Sequence, residues 1–182
     1  MPQIWLTSDL HLGHDREFLW SPRGCKSLNE MEEKLMTNWN SCVREDDIVY
    51  ILGDIAFGQE IDASLALLKQ FNGKKYLAIG NHDTDNKILK YREFNLFEDI
   101  QFAYRLKYKK ISLMLTHYPT IVANNGDPKP VWNIHGHTHS DSLFNEFTNC
   151  YNVAPEAHDC APVALDTAIQ DIRAHKRDCA KC

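Results

Sequence analysis

Side chains that bind divalent metals are concentrated in five short fragments of this sequence. Each fragment falls at or just after the end of an apolar run, and together they are Asp9-Leu10-His11, Gly53-Asp54, Gly80-Asn81-His82-Asp83, Thr116-His117-Tyr118 and Gly136-His137-Thr138-His139. Their ligand atoms are imidazole nitrogens, carboxylate oxygens and an amide oxygen. This mixture suits first-row divalent metals better than calcium or a thiolate zinc site. The sequence therefore predicts a metal-dependent hydrolase.

The apolar runs before these fragments predict the strands that position them. They are rich in β-branched residues and cover residues 4–7, 48–52, 76–79, 111–115 and 131–134. Short buried strands separated by helical segments are typical of an α/β sheet, which binds ligands beyond the carboxyl ends of its strands. We therefore expect the five fragments to meet at one edge of the molecule.

Several segments between the strands have helical spacing. Ser27 and Glu30 have the spacing of a capping box, and apolar residues then recur at three- and four-residue steps. Asn72-Gly73 supplies a C-cap for a second helix. Helices are expected over residues 28–44, 61–71, 84–94 and 166–176.

Three other stretches are predicted to be strands or loops. Residues 98–116 alternate around Lys109-Lys110 and predict a hairpin. The face of this hairpin is expected to carry Phe102, Tyr104, Leu106 and Tyr108. Residues 118–130 contain turn signals and predict a loop. A final strand pair is expected at residues 150–153 and 162–165.

Length and composition indicate an ordinary globular domain. The chain has 182 residues, 43% hydrophobic and 25% charged, and a formal net charge of −5. This charge argues against broad binding to a nucleic-acid backbone, although not against a single nucleotide held at metals. No apolar stretch is long enough for a membrane span, and no signal peptide is visible, so a cytoplasmic location is expected.

The cysteines predict free thiols rather than a zinc or redox motif. Four of them are scattered, and Cys179-Ala-Lys-Cys182 is a single CxxC at the C-terminus with no second pair. Residues 1–176 are expected to form one domain and residues 177–182 a flexible, cysteine-containing tail.

The order of the metal-binding fragments resembles a known family. The series DxH, GD, GNHD, H and GHxH is similar to that of the calcineurin-like metallophosphoesterases, specifically the small single-domain bacterial and phage type. The similarity runs from Ile4 to about Ile169, and GNHD together with GHTH is highly specific. It implies a four-layer αββα sandwich, in which two mixed β-sheets are flanked by helices.

The resemblance also implies a set of metal ligands. Two divalent ions about 3.5–4 Å apart need a bridging anion, and Asp54 corresponds to the bridging carboxylate of the family. The other ligands implied are Asp9, His11 and His139 for metal one, and Asn81, His117 and His137 for metal two. Manganese is expected, with iron, zinc, nickel and cobalt as alternatives. Gly53, Gly80 and Gly136 are expected to supply tight turns and close approach to the site.

The catalytic residues implied are His82, Asp54 and Asp83. In the family, the histidine after Asn81 faces the scissile phosphorus, where it stabilises charge or protonates the leaving oxygen. Asp83 either hydrogen-bonds to His82 or anchors the loop through backbone amides. The reaction implied is in-line attack on phosphorus by a metal-bridging hydroxide.

The sequence leaves the substrate open. A small phosphoester such as a nucleotide or cyclic nucleotide is expected, and a phosphodiester is favoured because no Arg lies within the core motifs. A phosphomonoesterase and a catalytically silent homologue are the alternatives, and the oligomeric state stays open. His14 and Arg16 are candidate substrate contacts. Arg23 and Lys129 are either phosphate contacts or surface residues.

Overall fold

A computed structural model describes residues 2–58, 61–120, 131–144 and 150–179, with only the backbone for 178 and 179. Most of the expected loop 118–130, Lys129 and residues 180–182 lie outside these ranges. The elements in chain order are β1 (Ile4–Thr7), α1 (Glu17–Trp20), α2 (Leu28–Cys42), β2 (Ile48–Ile51), α3 (Ile61–Leu68), β3 (Lys74–Ala78), α4 (Asp85–Glu93), β4 (Asp99–Gln101), β5 (Ala103–Tyr108), β6 (Ile111–Thr116), β7 (Val131–His135), β8 (Cys150–Asn152), a 3₁₀ turn (Pro155–Ala157), β9 (Val163–Ala164) and α5 (Leu165–Cys179).

Within the described residues, the strands form two mixed sheets. The first has the order β4-β3-β2-β1-β9, with β9 antiparallel to β1 and the other pairs parallel. The second has the order β5-β6-β7-β8, with only β5 and β6 antiparallel. Because β1, β2, β3, β6 and β7 all precede metal-binding fragments, this arrangement brings their carboxyl ends to the site.

Two hydrophobic clusters stabilise this arrangement. One packs α2, α3 and α4 against the first sheet and includes Trp39, Leu65 and Tyr91. The other joins the two sheets and α5 through residues such as Leu6, Leu113 and Ile169. Each fully buried side chain of this kind contributes about 1.5–3 kcal/mol. The two mixed sheets with flanking helices confirm the expected α/β fold class.

The predicted helices are present with shifted ends. Ser27 caps α2 by accepting a hydrogen bond from the backbone of Glu30, and the helix ends at Cys42 rather than at residue 44. The second helix ends at Leu68, before the predicted end at residue 71. In contrast, α5 continues to Cys179, beyond the predicted end at residue 176.

Two strand predictions were wrong about pairing partners. Residues 99–101 do not extend the hairpin but pair with β3 in the first sheet, so only residues 103–116 form it. Phe102, at the crossing between the sheets, is 80% exposed instead of sharing the buried face of Tyr104. The strands at residues 150–152 and 163–164 join different sheets. Local alternation predicts a strand but does not determine its neighbour.

Cys25, Cys42, Cys150 and Cys160 are free thiols, as predicted. Among the described helices, none is both long and apolar enough to cross a membrane.

Candidate metal centre

The ligands expected for metal one lie around the Nε2 atom of His11. This nitrogen is 3.2 Å from Nε2 of His139, 3.6 Å from Oδ2 of Asp54 and 4.0 Å from Oδ1 of Asp9. Nε2 of His139 is also 3.6 Å from Oδ1 of Asp9. Two ligand atoms on one ion, each at about 2.1 Å from it, lie roughly 3–3.5 Å apart. This group therefore has the spacing needed to hold an ion after small adjustments.

The ligands expected for metal two lie around the Nε2 atom of His117. It is 2.8 Å from Oδ1 of Asn81, 3.1 Å from Nδ1 of His137 and 3.6 Å from Oδ2 of Asp54. The other ring nitrogen of His117 lies 2.8 Å from the carbonyl oxygen of Leu52. Since that carbonyl can only accept, Nδ1 carries the proton and Nε2 is free to bind a metal.

One carboxylate oxygen faces both groups. Oδ2 of Asp54 lies 3.6 Å from a ring nitrogen of His11 and 3.6 Å from one of His117. The other oxygen, Oδ1, accepts a hydrogen bond of 2.9 Å from the backbone N–H of His82. Asp54 therefore has the position that a bridging ligand requires.

Several of the expected ligands have left-handed backbone conformations. Their φ angles are +49° for Asp9 and His11, +58° for Asp54, +68° for His137 and +47° for His139. Such conformations cost about 1–3 kcal/mol each and are concentrated at functional sites. Neighbouring strand ends stabilise them, since the backbone N–H groups of Asp9 and His11 donate to the carbonyls of Gly53 and Asp54.

Glycine permits close approach at two of these turns, as the sequence predicted. A Cβ atom at Gly80 would lie 2.2 Å from Oδ1 of Asp54, and one at Gly136 would lie 2.3 Å from Oδ2 of Asp9. Because neither contact is sterically possible, any side chain at these positions would displace an expected ligand.

The buried carboxylate and imidazole groups of the centre favour the binding of a cation. Oδ2 of Asp9 accepts from the backbone N–H of His137, but its buried Oδ1 has no hydrogen-bond partner among the described residues. Burial raises the pKa of Asp9 above its usual value. Burial, together with positive charge on His139 and Arg23, lowers the pKa of His11 to about 2. A divalent ion would provide a partner for Oδ1 of Asp9 and would bind the neutral imidazoles.

His82 lies beside the two groups and faces solvent. Its side chain is 38% exposed, and its Nε2 atom is 4.0 Å from Oδ2 of Asp54. Lys87 holds the same turn by donating to the carbonyls of His82 and Ala56, at 2.8 and 2.7 Å. The His82 ring is thus available to a substrate and is carried on an anchored loop.

The carboxylate of Asp83 is hydrogen-bonded to two turns of the site. Its buried carboxylate accepts hydrogen bonds from the backbone N–H groups of Gly80, Asp54 and Ile55. The hydroxyl of Tyr91 donates a further bond of 2.9 Å. These contacts favour the loop-anchoring alternative over the expected part in catalysis, because they tie the GNHD turn to the Asp54 turn.

The candidate substrate contacts differ in position. His14 lies at the centre, with its Nδ1 atom 3.3 Å from Nδ1 of His11 and its ring stacked on Phe57 at 3.9 Å. Burial and the charges of His82 and Arg16 lower the pKa of His14. Arg16 itself is exposed, immediately before α1.

Both predictions for Arg23 were wrong, since it is neither a surface residue nor available to a phosphate. Its side chain is fully buried and paired with Glu156, with Nη2 2.9 Å from Oε1. Glu156 in turn lies 3.1 Å from Nδ1 of His139. Sequence reasoning missed Glu156, because an isolated Glu in a short turn carries no motif.

Two groups of candidate nitrogen and oxygen ligands face one carboxylate at the edge of a two-sheet α/β domain, an arrangement that fits a metal-dependent hydrolase. Residues 2–172 match the family model of the calcineurin-like phosphoesterases. The chain belongs to this family, whose members bind divalent metals and act on small phosphoesters.

Known proteins of several sources are similar to this chain. An uncharacterised protein of Methanocaldococcus jannaschii is 31% identical over 97% of this chain and 94% of its own length. The gene 66 protein of Mycobacterium phage L5 is 31% identical over 80% of this chain and 81% of its own. A solved structure of a protein of unknown function from Aquifex aeolicus superposes with a TM-score of 0.70 at 23% identity, covering 94% of this chain and all of that one. The last similarity supports the fold alone.

Proposed function

We propose that this protein is a dinuclear metal-dependent phosphodiesterase. The observation that carries the proposal is the position of Oδ2 of Asp54, 3.6 Å from a ligand nitrogen in each of the two groups. A single carboxylate oxygen shared in this way is suited to two ions at bridging distance, about 3.5–4 Å apart.

The residues of such a site would have different roles. Two ions held there would supply positive charge for the phosphoryl oxygens and activate the attacking water. The amide oxygen of Asn81 adds no negative charge, which leaves the centre positive enough to bind phosphate. The exposed ring of His82 stabilises charge at the reacting phosphorus or gives a proton to the leaving oxygen.

The arginines favour a diester over a monoester. A monoester dianion is bound best with an additional cationic clamp such as a bidentate Arg. Arg23 cannot supply the clamp because its guanidinium is buried and bonded to Glu156 and to backbone carbonyls. Arg16 is exposed outside the two ligand groups. A diester carries one negative charge, which two ions and His82 can neutralise.

The test compares two esters on one manganese-loaded preparation. We expect kcat/KM at neutral pH to be higher for bis(p-nitrophenyl) phosphate than for p-nitrophenyl phosphate. Arg16→Ala should leave this ratio unchanged. A preference for the monoester that Arg16→Ala removes would instead establish a phosphatase with Arg16 as the clamp. No turnover of either ester, or of a panel of nucleotides and cyclic nucleotides, with two ions bound would indicate a silent homologue.

Exposed aromatic side chains beside the metal centre favour a substrate with an aromatic group, such as a nucleotide. Tyr118 is 48% exposed, and its ring lies 4.5 Å from that of His137. On another side, exposed Phe18 meets the edge of the His14 ring, which is stacked on Phe57. Exposed aromatic rings beside a phosphate site favour substrates with a flat group next to the phosphorus.

A further inference from the structure

We infer that Arg23 and Glu156 are positioning residues that build the metal-one group and make it the tighter of the two metal sites. The inference rests on the proposed two-metal centre. It concerns residues that lie outside the metal-binding motifs and contribute no expected ligand atom.

The first observation is the contact between Glu156 and His139. Oε1 of Glu156 lies 3.1 Å from Nδ1 of His139, and the carboxylate is almost fully buried. A carboxylate accepts, so Nδ1 of His139 donates and its Nε2 atom is left to face Asp9 and His11. A buried carboxylate behind a ligating imidazole fixes the ring and raises its basicity, which strengthens metal binding.

The second observation is that Arg23 joins Glu156 to the ligand loop. Its Nε and Nη2 atoms each lie 2.9 Å from Oε1 of Glu156. Nη2 also donates to the carbonyl of Asp9 at 2.7 Å, and Nη1 donates to the carbonyl of Leu10 at 3.2 Å. One buried guanidinium thus contacts both the partner of His139 and the backbone that carries Asp9 and His11.

These contacts act on the most constrained part of the site. Asp9 and His11 both have φ near +49°, a conformation that must be stabilised by its surroundings. The two carbonyls between these residues point to Arg23, which provides charge-assisted hydrogen bonds in a dry environment. Arg23 and Glu156 therefore hold the three expected ligands of metal one other than the bridging Asp54, two of them through the backbone and one through its ring.

Metal two has a weaker counterpart. Behind His117 is the neutral carbonyl of Leu52, at 2.8 Å from Nδ1. A carbonyl orients an imidazole but draws its N–H proton less than a carboxylate does. Because only metal one has a carboxylate behind its imidazole, we expect the metal-one site to fill first. Removing the charge of Glu156 should reduce the difference in metal affinity between the two sites.

The experiment is a calorimetric titration of Mn²⁺ into the metal-free protein, repeated with Co²⁺ to follow its visible absorption. For the unmodified chain we expect two ions per chain in two resolved steps. Glu156→Gln keeps the shape and one acceptor but not the charge, and it should weaken the first step roughly 10–100-fold. The second step should change less than about twofold. Glu32→Gln is the matched control, because this partly buried carboxylate accepts a hydrogen bond from the backbone of Gly13 near the same loop and, among the described residues, contacts none of the expected ligands.

A second variant separates the role in metal binding from a role in folding. Buried ion pairs can often be replaced by apolar residues of similar volume without loss of stability. Arg23→Met combined with Glu156→Met should therefore fold, as judged by thermal unfolding of the metal-free protein, and still lose the tight first step. Glu156→Asp keeps the negative charge on a shorter side chain, so it should bind the first ion more tightly than Glu156→Gln does.

The outcomes distinguish this inference from the proposed function. Two ions bound with the first step unchanged in Glu156→Gln and in the double Met variant would overturn the positioning role and leave the two-metal centre intact. Equal weakening of both steps would also overturn it. A single ion per unmodified chain would contradict the two-metal centre itself.

Discussion

The backbone N–H of His82 donates a hydrogen bond of 2.9 Å to Oδ1 of Asp54. The GNHD turn therefore fixes one oxygen of this carboxylate and leaves the other directed at both ligand groups. The donor is the backbone of His82, so the His82 side chain can be replaced without removing this hydrogen bond. This separation allows the proposed roles of Asp54 and His82, in metal bridging and in catalysis, to be tested independently.

Replacement of Asp54 by Asn should remove nearly all turnover. The substitution keeps the shape but removes the negative charge shared by the two groups, so the second ion should be lost or bound weakly. Metal content per chain after desalting, measured beside kcat, checks this expectation. Asp62→Asn on α3, an exposed residue paired with Lys90, is the control and should keep both ions. An Asp54→Asn protein with two tightly bound ions would exclude the bridging role.

Replacement of His82 by Ala should reduce kcat by about 10²–10⁴-fold, the usual contribution of a positioned acid or base. Metal content should stay the same, since the turn is held by Asp83 and Lys87 rather than by the His82 ring. Metal loss equal to that of Asp54→Asn would mean that His82 is a ligand or a structural residue.

Replacement of Gly80 by Ala should destroy metal binding, because the new Cβ would overlap with Oδ1 of Asp54. Gly24→Ala is an informative control. Gly24 has a φ of +73°, but a Cβ atom there would lie 3.9 Å from its nearest neighbour, Nζ of Lys34. This substitution should cost about 1 kcal/mol of stability and leave metal affinity unchanged. If Gly80→Ala retained both ions, the close packing of this turn on Asp54 would not be needed for the site.

Much of the fold and site follows from the sequence because strand ends carry the relevant residues. Each metal-binding fragment follows an apolar run; the fragments lie around Asp9, Asp54, Asn81, His117 and His137. In an α/β fold the carboxyl ends of such strands meet at one edge, so the fragments are expected to come together. The helix cap at Ser27 is equally local: its side chain accepts from the backbone N–H of Glu30, although the Glu30 carboxylate accepts from the backbone of Lys26 rather than of Ser27. These features depend on residues that are close together in the chain.

The remaining features depend on contacts between distant segments. Arg23 and Glu156 are 133 residues apart, and neither lies in a motif. Tyr91, which donates to Asp83, lies among the apolar residues of a helix that packs on the first sheet. Likewise, the alternation in residues 98–116 does not reveal that β4 pairs with β3. Such partners are chosen by tertiary packing, which a periodic pattern does not encode.

Removal of metal with a chelator should abolish activity reversibly. Manganese or another first-row ion should restore it, whereas magnesium should do so less well, because the two groups contain four imidazoles and Mg²⁺ prefers oxygen ligands. Activity measured after dialysis against each ion in turn checks this ranking. Full recovery with magnesium alone would contradict a centre in which the His side chains are ligands.

Replacement of Tyr118 by Ala should weaken the binding of aromatic esters more than that of alkyl esters. The ring is half exposed and lies 5.0 Å from that of His117 and 4.5 Å from that of His137, so a flat group next to a bound phosphate can stack on it. Such stacking contributes about 1–3 kcal/mol, which corresponds to a roughly 5–150-fold rise in KM for a nucleotide diester. Dimethyl phosphate, added as a competing ligand, should keep its inhibition constant.

Tyr118→Phe should behave as the unmodified chain does, because stacking needs the ring and not the hydroxyl. Leu89→Ala, which removes another exposed apolar side chain on α4, should leave both values unchanged. An equal rise for aromatic and alkyl ligands in Tyr118→Ala would mean that the ring supports the metal ligands and does not contact the substrate.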